Sequence, residues 1–167
     1  MTMRQFRLPV RNPLTFVAVA IVMGLPSFAA AQAPIPYGTP ISHEQAKKVI
    51  AAAAEEAKKQ NWPVAIAVVD ASGFLVAFER LDNTQLGSVE VALEKAKTSA
   101  LFRRPTKAFE ETLTAGNTRV LKLPGALPVE GGLPIIVDGK VIGAIGVSGV
   151  KSTEDAQVAT AGIDALK

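Results

Sequence analysis

Between Ser42 and Lys167, the pattern of apolar positions marks eight elements. Ala46, Val49, Ile50, Ala53 and Ala57 recur at helical spacing, with Glu and Lys between them. Ser42 at the start and Gln45 three residues later fit a capping box, and Asn61 and Pro63 end this helix. Pro63 to Asp70 is a continuous apolar run of strand length. Asp70-Ala71-Ser72-Gly73 supplies turn chemistry, and Phe74 to Arg80 returns, which predicts a β-hairpin. Both runs are apolar at nearly every position, so both strands are expected to be covered on both faces.

A second helix is expected from Leu86 to Phe102, with Val89, Ala92, Leu93, Ala96, Ala100 and Leu101 as its core stripe. Pro105 breaks it. Thr106 can cap a short helix reaching about Leu113 and burying Phe109. Thr114 to Pro128 is irregular, with room for a short strand near Val120 to Leu123, and a connection of that length is usually functional or mobile. Leu133 to Val137 and Val141 to Val147 flank Asp138-Gly139, a second hairpin signal. A last helix opens at Ser152, with Asp155 placed as its capping partner, and runs through Ala156, Ala159, Ile163 and Leu166. The order α-β-β-α-α-β-β-α predicts an α+β fold, an antiparallel sheet of two hairpins flanked by helices.

The first residues read differently. Arg4, Arg7 and Arg11 precede the uncharged run Leu14 to Leu25, and Pro26 and small residues to Ala33 follow. This is the three-part pattern of a secretory signal peptide, too short to span a bilayer comfortably. Cleavage is expected after Ala31, with Ala33 the second choice because it would leave Pro34 directly after the cut. The domain division is then a signal peptide over 1–31, an extended proline-rich lead-in over 32–41, and one domain over 42–167. A periplasmic or secreted location follows.

The leader also changes the charge. The chain carries 18 Lys and Arg against 15 Asp and Glu. Three of those cations lie in the leader, so the remainder is balanced, and a nucleic-acid partner loses its electrostatic support. The absence of cysteine excludes a disulfide framework, a thiolate zinc site and a Cys nucleophile. A single histidine excludes two-His zinc motifs.

Few residues remain for chemistry, and none is assigned a catalytic role. His43 sits at an exposed helix start; a solvated terminus is the plain reading, an axial haem or metal contact the sharper one. Glu90 and Glu94, with Lys97 near, read as a solvated helix face before they read as a cation site. Gly143, Gly146 and Gly149 do not have dinucleotide-binding spacing and instead suggest close packing in a crowded strand. Arg103, Arg104, Pro105 and Thr106 join the end of one helix to the start of the next, which suits a carboxylate or propionate as well as ordinary capping. Gly131 and Gly132 either line a ligand pocket or make a tight strand start.

Four stretches together carry a resemblance: AIAVVDASGFLVAFERLD (Ala65 to Asp82), VALEKAKTSALFRRPT (Val91 to Thr106), GGLPIIVDGKVIGAIGVSGV (Gly131 to Val150) and STEDAQVATAGIDAL (Ser152 to Leu166). The chain resembles the GlcG/HbpS-type haem-binding family, which includes the C-terminal domain of PduO-type proteins. The resemblance covers Ser42 to Lys167. It departs at Gly149-Val150, where family members commonly carry a second glycine. It implies a profilin-like α/β/α sandwich, homo-oligomeric assembly and, in some members, haem as cofactor outside the cytoplasm. By motif position it places the ligand site at Thr106, Arg103, Pro105, Gly131 and Gly132; it carries over no axial ligand, and from the residues themselves Thr106 or His43 can provide the iron donor. Three functions stay open: an exported, non-catalytic haem (tetrapyrrole)-binding protein for haem capture or redox sensing; an enzyme or accessory protein acting on a small hydroxy acid or degrading haem; and an oligomeric interaction module for a sensor protein.

Overall fold

A computed structural model describes residues Ala33–Lys167; the expected signal peptide lies outside the described residues. The elements are α1 (His43–Lys59), β1 (Ala65–Asp70), β2 (Leu75–Arg80), α2 (Ser88–Phe102), α3 (Lys107–Thr114), a 3-10 helix (Thr118–Lys122), β3 (Gly132–Val137), β4 (Lys140–Ser148) and α4 (Ser152–Asp164). The four strands form one antiparallel sheet in the order β2-β1-β4-β3. The α+β architecture of two hairpins flanked by helices is as expected.

The sheet separates two unlike layers. On one face α1 and α4 pack through Val49, Ile50, Val158 and Ala159 onto Ile66, Val68, Ile145 and Val147. On the other face α2 lies on Ala65, Ala67, Val69 and Ala144 through Ala92, Ala96 and Ala100. This second layer is thin because it is made of alanine and glycine. A Cβ at Gly146 would run into the Ala92 carbonyl oxygen and the Ala96 backbone nitrogen, and one at Gly143 into the Val69 carbonyl oxygen. The strand glycines are packing residues, as their spacing suggested.

Helix α1 begins as its sequence specifies. The Ser42 hydroxyl accepts from the Gln45 N–H at 3.2 Å, and the Gln45 side chain accepts from the Ser42 N–H at 3.0 Å. At the other end Asn61 takes φ 56°. The Trp62 and Asn61 N–H groups close back on the Ala57 and Lys58 carbonyls, a Schellman ending.

Four expectations are corrected. Strand β2 is not covered on both faces: it is the edge of the sheet, and Leu75 and Phe78 are exposed. Helix α2 starts at Ser88, not Leu86, and Leu101 at its end is exposed while Lys95, Thr98 and Ser99 join the buried stripe. The stretch around Val120 to Leu123 is the 3-10 helix, anchored by buried Val120, and contains no strand. At the start of α4 the side chain reaching back to the Lys151 N–H is Glu154, at 3.1 Å; Asp155 points into the core instead.

Candidate functional site

The turn from α2 to α3 carries the arginine pair, and its two arginines take different partners. Arg103 has φ 54° and closes α2. Its guanidinium donates to the Ile35 carbonyl at 3.1 Å and lies 4.9 Å over the Tyr37 ring. The Tyr37 hydroxyl in turn donates to the Ala100 and Leu101 carbonyls at 3.1 and 3.0 Å, so the proline-rich lead-in is strapped to the end of α2. Arg104 swings the other way, over the Phe109 ring at 5.5 Å. Pro105 is exposed between them.

Thr106 is fully buried and its hydroxyl is occupied. It accepts from the Gly132 N–H at 2.9 Å, while the Thr106 N–H donates to the Gly132 carbonyl at 3.0 Å. The side chain makes no cap on α3. The two glycines are likewise filled by protein. A Cβ at Gly131 would stand 2.7 Å from the Lys95 Nζ, and one at Gly132 2.7 Å from Thr106 Cγ2. The structure therefore brings Thr106 and Gly132 together, with Gly131 beside them, as a closed clasp between α3 and β3. His43 is exposed on α1, on the opposite layer, and is not joined to them.

Beneath the clasp lies a feature the sequence reading missed. The Lys95 Nζ donates to Asp155 Oδ2 at 2.8 Å and to the Val147 carbonyl at 2.9 Å, with the two side chains 1% and 3% exposed. Asp155 Oδ1 accepts from the Val150 N–H. Burial pushes the Asp155 carboxyl above the usual aspartate range, and the Lys95 ammonium offsets only part of that. The signal was available: Ala92, Lys95, Ala96 and Ser99 follow the i, i+3, i+4, i+7 pattern of one helix face. Glu94 and Lys97, by contrast, form a partly exposed pair at 2.8 Å, the ordinary solvated face their spacing suggested.

An open surface occurs one step further along the chain. Between α3 and the 3-10 helix is a groove of about 200 Å³, floored by Phe109, Val120 and Leu123 and flanked by Arg104, Arg119 and Thr112. Phe102 supports the floor, edge-on to Phe109 with ring centroids 5.2 Å apart. Its chemistry is two guanidinium groups over an apolar base. Behind α3, Lys107 and Glu130 pair at 3.1 Å, which pushes the Lys107 ammonium up, and the Glu130 N–H donates to Glu110. That second groove satisfies its own polar groups.

The layers and the arginine-flanked groove define a sandwich domain of the profilin-like kind with one cationic, apolar-floored surface site. Residues 41–164 match the family model described as haem degrading protein HbpS-like, and the chain belongs to this family. It is 45% identical over 108 residues to protein GlcG of Escherichia coli strain K12, spanning 65% of this chain and 81% of that protein. Among solved structures, an HbpS double mutant from Streptomyces reticuli superposes with a TM-score of 0.72 at 28% identity, covering 95% of this chain and 99% of that one. A PduOC–haem complex superposes with a TM-score of 0.70 at 26% identity, covering 76% and 95%.

Proposed function

We propose that this protein is an exported haem-binding protein that holds the tetrapyrrole without turning it over. The observation that carries the reading is the groove in which Arg104 and Arg119 flank Phe109, Val120 and Leu123. Haem is a flat apolar ring with two carboxylates at one edge, and the groove offers an apolar floor with two carboxylate-binding cations beside it. Family membership and the haem held by PduOC support the same ligand. The volume of about 200 Å³ is below the ~300–1,000 Å³ of pockets that enclose drug-sized ligands. The groove therefore grips one edge and leaves the other side of the ring open. The Thr112 hydroxyl, which already donates to the Ala108 carbonyl, and the Asn117 amide oxygen, which accepts from the Arg119 N–H, are the neutral oxygen groups at the groove. Haem would supply the iron chemistry; the protein's part is orientation through the arginines and exclusion of water by Phe109. The proposed site lies at the corner that Arg103, Pro105 and Thr106 marked; Arg104 spends its Nε on the Phe102 carbonyl at 3.3 Å and keeps its terminal nitrogens for a carboxylate.

Export is supported by the three-part leader, and N-terminal sequencing of the exported protein is expected to begin at Gln32. Assembly into a homo-oligomer is supported by the apolar side chains on edge strand β2, Leu75 at 52% and Phe78 at 38% exposed. Phe78→Lys is expected to lower the mass seen by light scattering. A parent that is monomeric at high concentration would refute the assembly.

The test of the ligand is a hemin titration of the protein lacking its leader. A saturable Soret shift is expected and should persist for hours. Arg104→Ala and Arg119→Ala should each weaken binding about ten-fold, the loss of one charge-assisted hydrogen bond. His43→Ala should bind as the parent does. No saturable shift, or unchanged binding in both arginine variants, would overturn the site. Steady bleaching of the band would assign turnover instead.

A further inference from the structure

A cavity of about 420 Å³ belongs to neither the clasp nor the α3 groove. It lies where the turn after α1 meets the turn after β2, and Lys58, Asn61, Trp62, Leu81, Asp82 and Asn83 line it. We propose that this cavity binds a neutral polyhydroxylated ring, a sugar of pyranose size.

Three observations point there. First, most of the polar side chains at this cavity are open to a ligand: Asn61, Asp82 and Asn83 face solvent. Among the described residues, the Asn61 and Asn83 amides, the Asp82 carboxylate and the Trp62 indole N–H make no hydrogen bond, and Lys58 reaches only Glu79 at 3.5 Å. The groove behind α3 differs, because its Lys107, Glu110 and Glu130 satisfy one another. Two amides, a carboxylate, an ammonium and an indole N–H together offer both donors and acceptors, which is what vicinal hydroxyls require.

Second, the wall is apolar and flat. Trp62 and Leu81 are partly buried and pack against the α1 layer. An indole presents a broad face to the C–H groups of a sugar ring while its N–H stays available at the edge.

Third, the charges balance. An ammonium (Lys58) and a carboxylate (Asp82) on one rim leave no net charge to draw in an anion or a cation, so a hydroxy acid gains nothing there over a neutral ligand. A neutral ligand meets no opposing charge. Both asparagines take left-handed backbone, φ 56° and 63°, at two turns that meet at this cavity. Asn61 also serves the helix ending, and Asn83 sits in the turn between β2 and α2.

Trp62 is the only tryptophan in the chain, so intrinsic fluorescence reports on this cavity alone. The experiment titrates glucose, N-acetylglucosamine and myo-inositol into the haem-free protein, with sodium glycolate as the anionic comparison, at concentrations into the millimolar range. A saturable change in Trp62 emission is expected with at least one of the three polyols and not with glycolate. Asn83→Gly keeps the backbone accessible while removing the amide, and Asp82→Ala removes the carboxylate. Each should weaken the response about ten-fold with thermal melting unchanged. Absence of a saturable change with all three polyols would overturn the proposal. So would a polyol response that both variants leave intact, or an equal response to glycolate. Hemin binding is read at the Soret band in the same variants and is expected to be unaffected.

Discussion

Lys95 and Asp155 form an ion pair 2.8 Å long, closed off from solvent, and link the middle of α2 to the first turn of α4. The two helices lie on opposite faces of the sheet. The pair reaches between them past the β3–β4 end, where Val147 accepts a further hydrogen bond from Lys95. Breaking it from one side leaves a buried ionisable group with no counter-charge, holding only its backbone hydrogen bond. Lys95→Met is expected to cost about 3–5 kcal/mol in urea unfolding, and Lys95→Met combined with Asp155→Leu to recover most of that. If the double variant is no better than the single one, the pair is not the origin of the loss.

The pair also sets a pH dependence of unusual sign. Burial holds the folded-state pKa of Asp155 above its unfolded value. Between the two values the folded protein binds more protons than the unfolded chain. The contribution of Asp155 to stability is therefore full below the ordinary aspartate range and declines as pH rises through the raised folded value. The stability of the parent relative to Asp155→Asn should fall across that window in urea midpoints taken at successive pH values. A rise would reverse the assignment.

The Thr106 hydroxyl is assigned to structure. Thr106→Val keeps the shape and strands the buried Gly132 N–H, at an expected cost of about 1–3 kcal/mol. Its hemin affinity should equal that of the parent. A stable variant with impaired hemin binding would return Thr106 to the ligand.

Ser99 Oγ is buried with no hydrogen-bond partner among the described residues. Ser99→Ala should stabilise the protein by about 1 kcal/mol, because an unpaired hydroxyl leaves the interior. Differential scanning calorimetry would show it as a raised Tm, and a lowered one would reveal a partner for the hydroxyl.

Elements marked by local chemistry were legible in the sequence. The Ser42–Gln45 box, the Asp138-Gly139 turn and the alanine stripe of α2 each act over a few residues, and each appears where expected. Features that depend on strand order were not legible. Leu75 and Phe78 have the composition of a covered strand, yet they are exposed because β2 ends the sheet, and nothing local to β2 encodes its neighbours. The site divided in the same way. Arginines at a helix junction were visible, but which of the two is drawn to the lead-in and which faces the groove was decided by Ile35 and Tyr37, more than sixty residues earlier in the chain. Arg119 was missed because the 3-10 helix that presents it carries no periodic pattern. Lys95 was overlooked because a lysine between Glu94 and Ala96 reads as solvent-facing unless an acid elsewhere draws it inward.

The alanine and glycine layer under α2 has a thermodynamic consequence. Alanine and glycine have no rotamers to lose, so at those contacts docking α2 freezes almost no side-chain freedom, and its ordering cost falls on Lys95 and Thr98, whereas each Val and Ile of the α1–α4 layer surrenders some on burial. The same smallness limits the apolar area that α2 removes from water. One sheet is thus held on its two faces by different balances of entropy and solvation. The α1–α4 side carries more of the heat-capacity change of unfolding, and so more of the temperature dependence of stability.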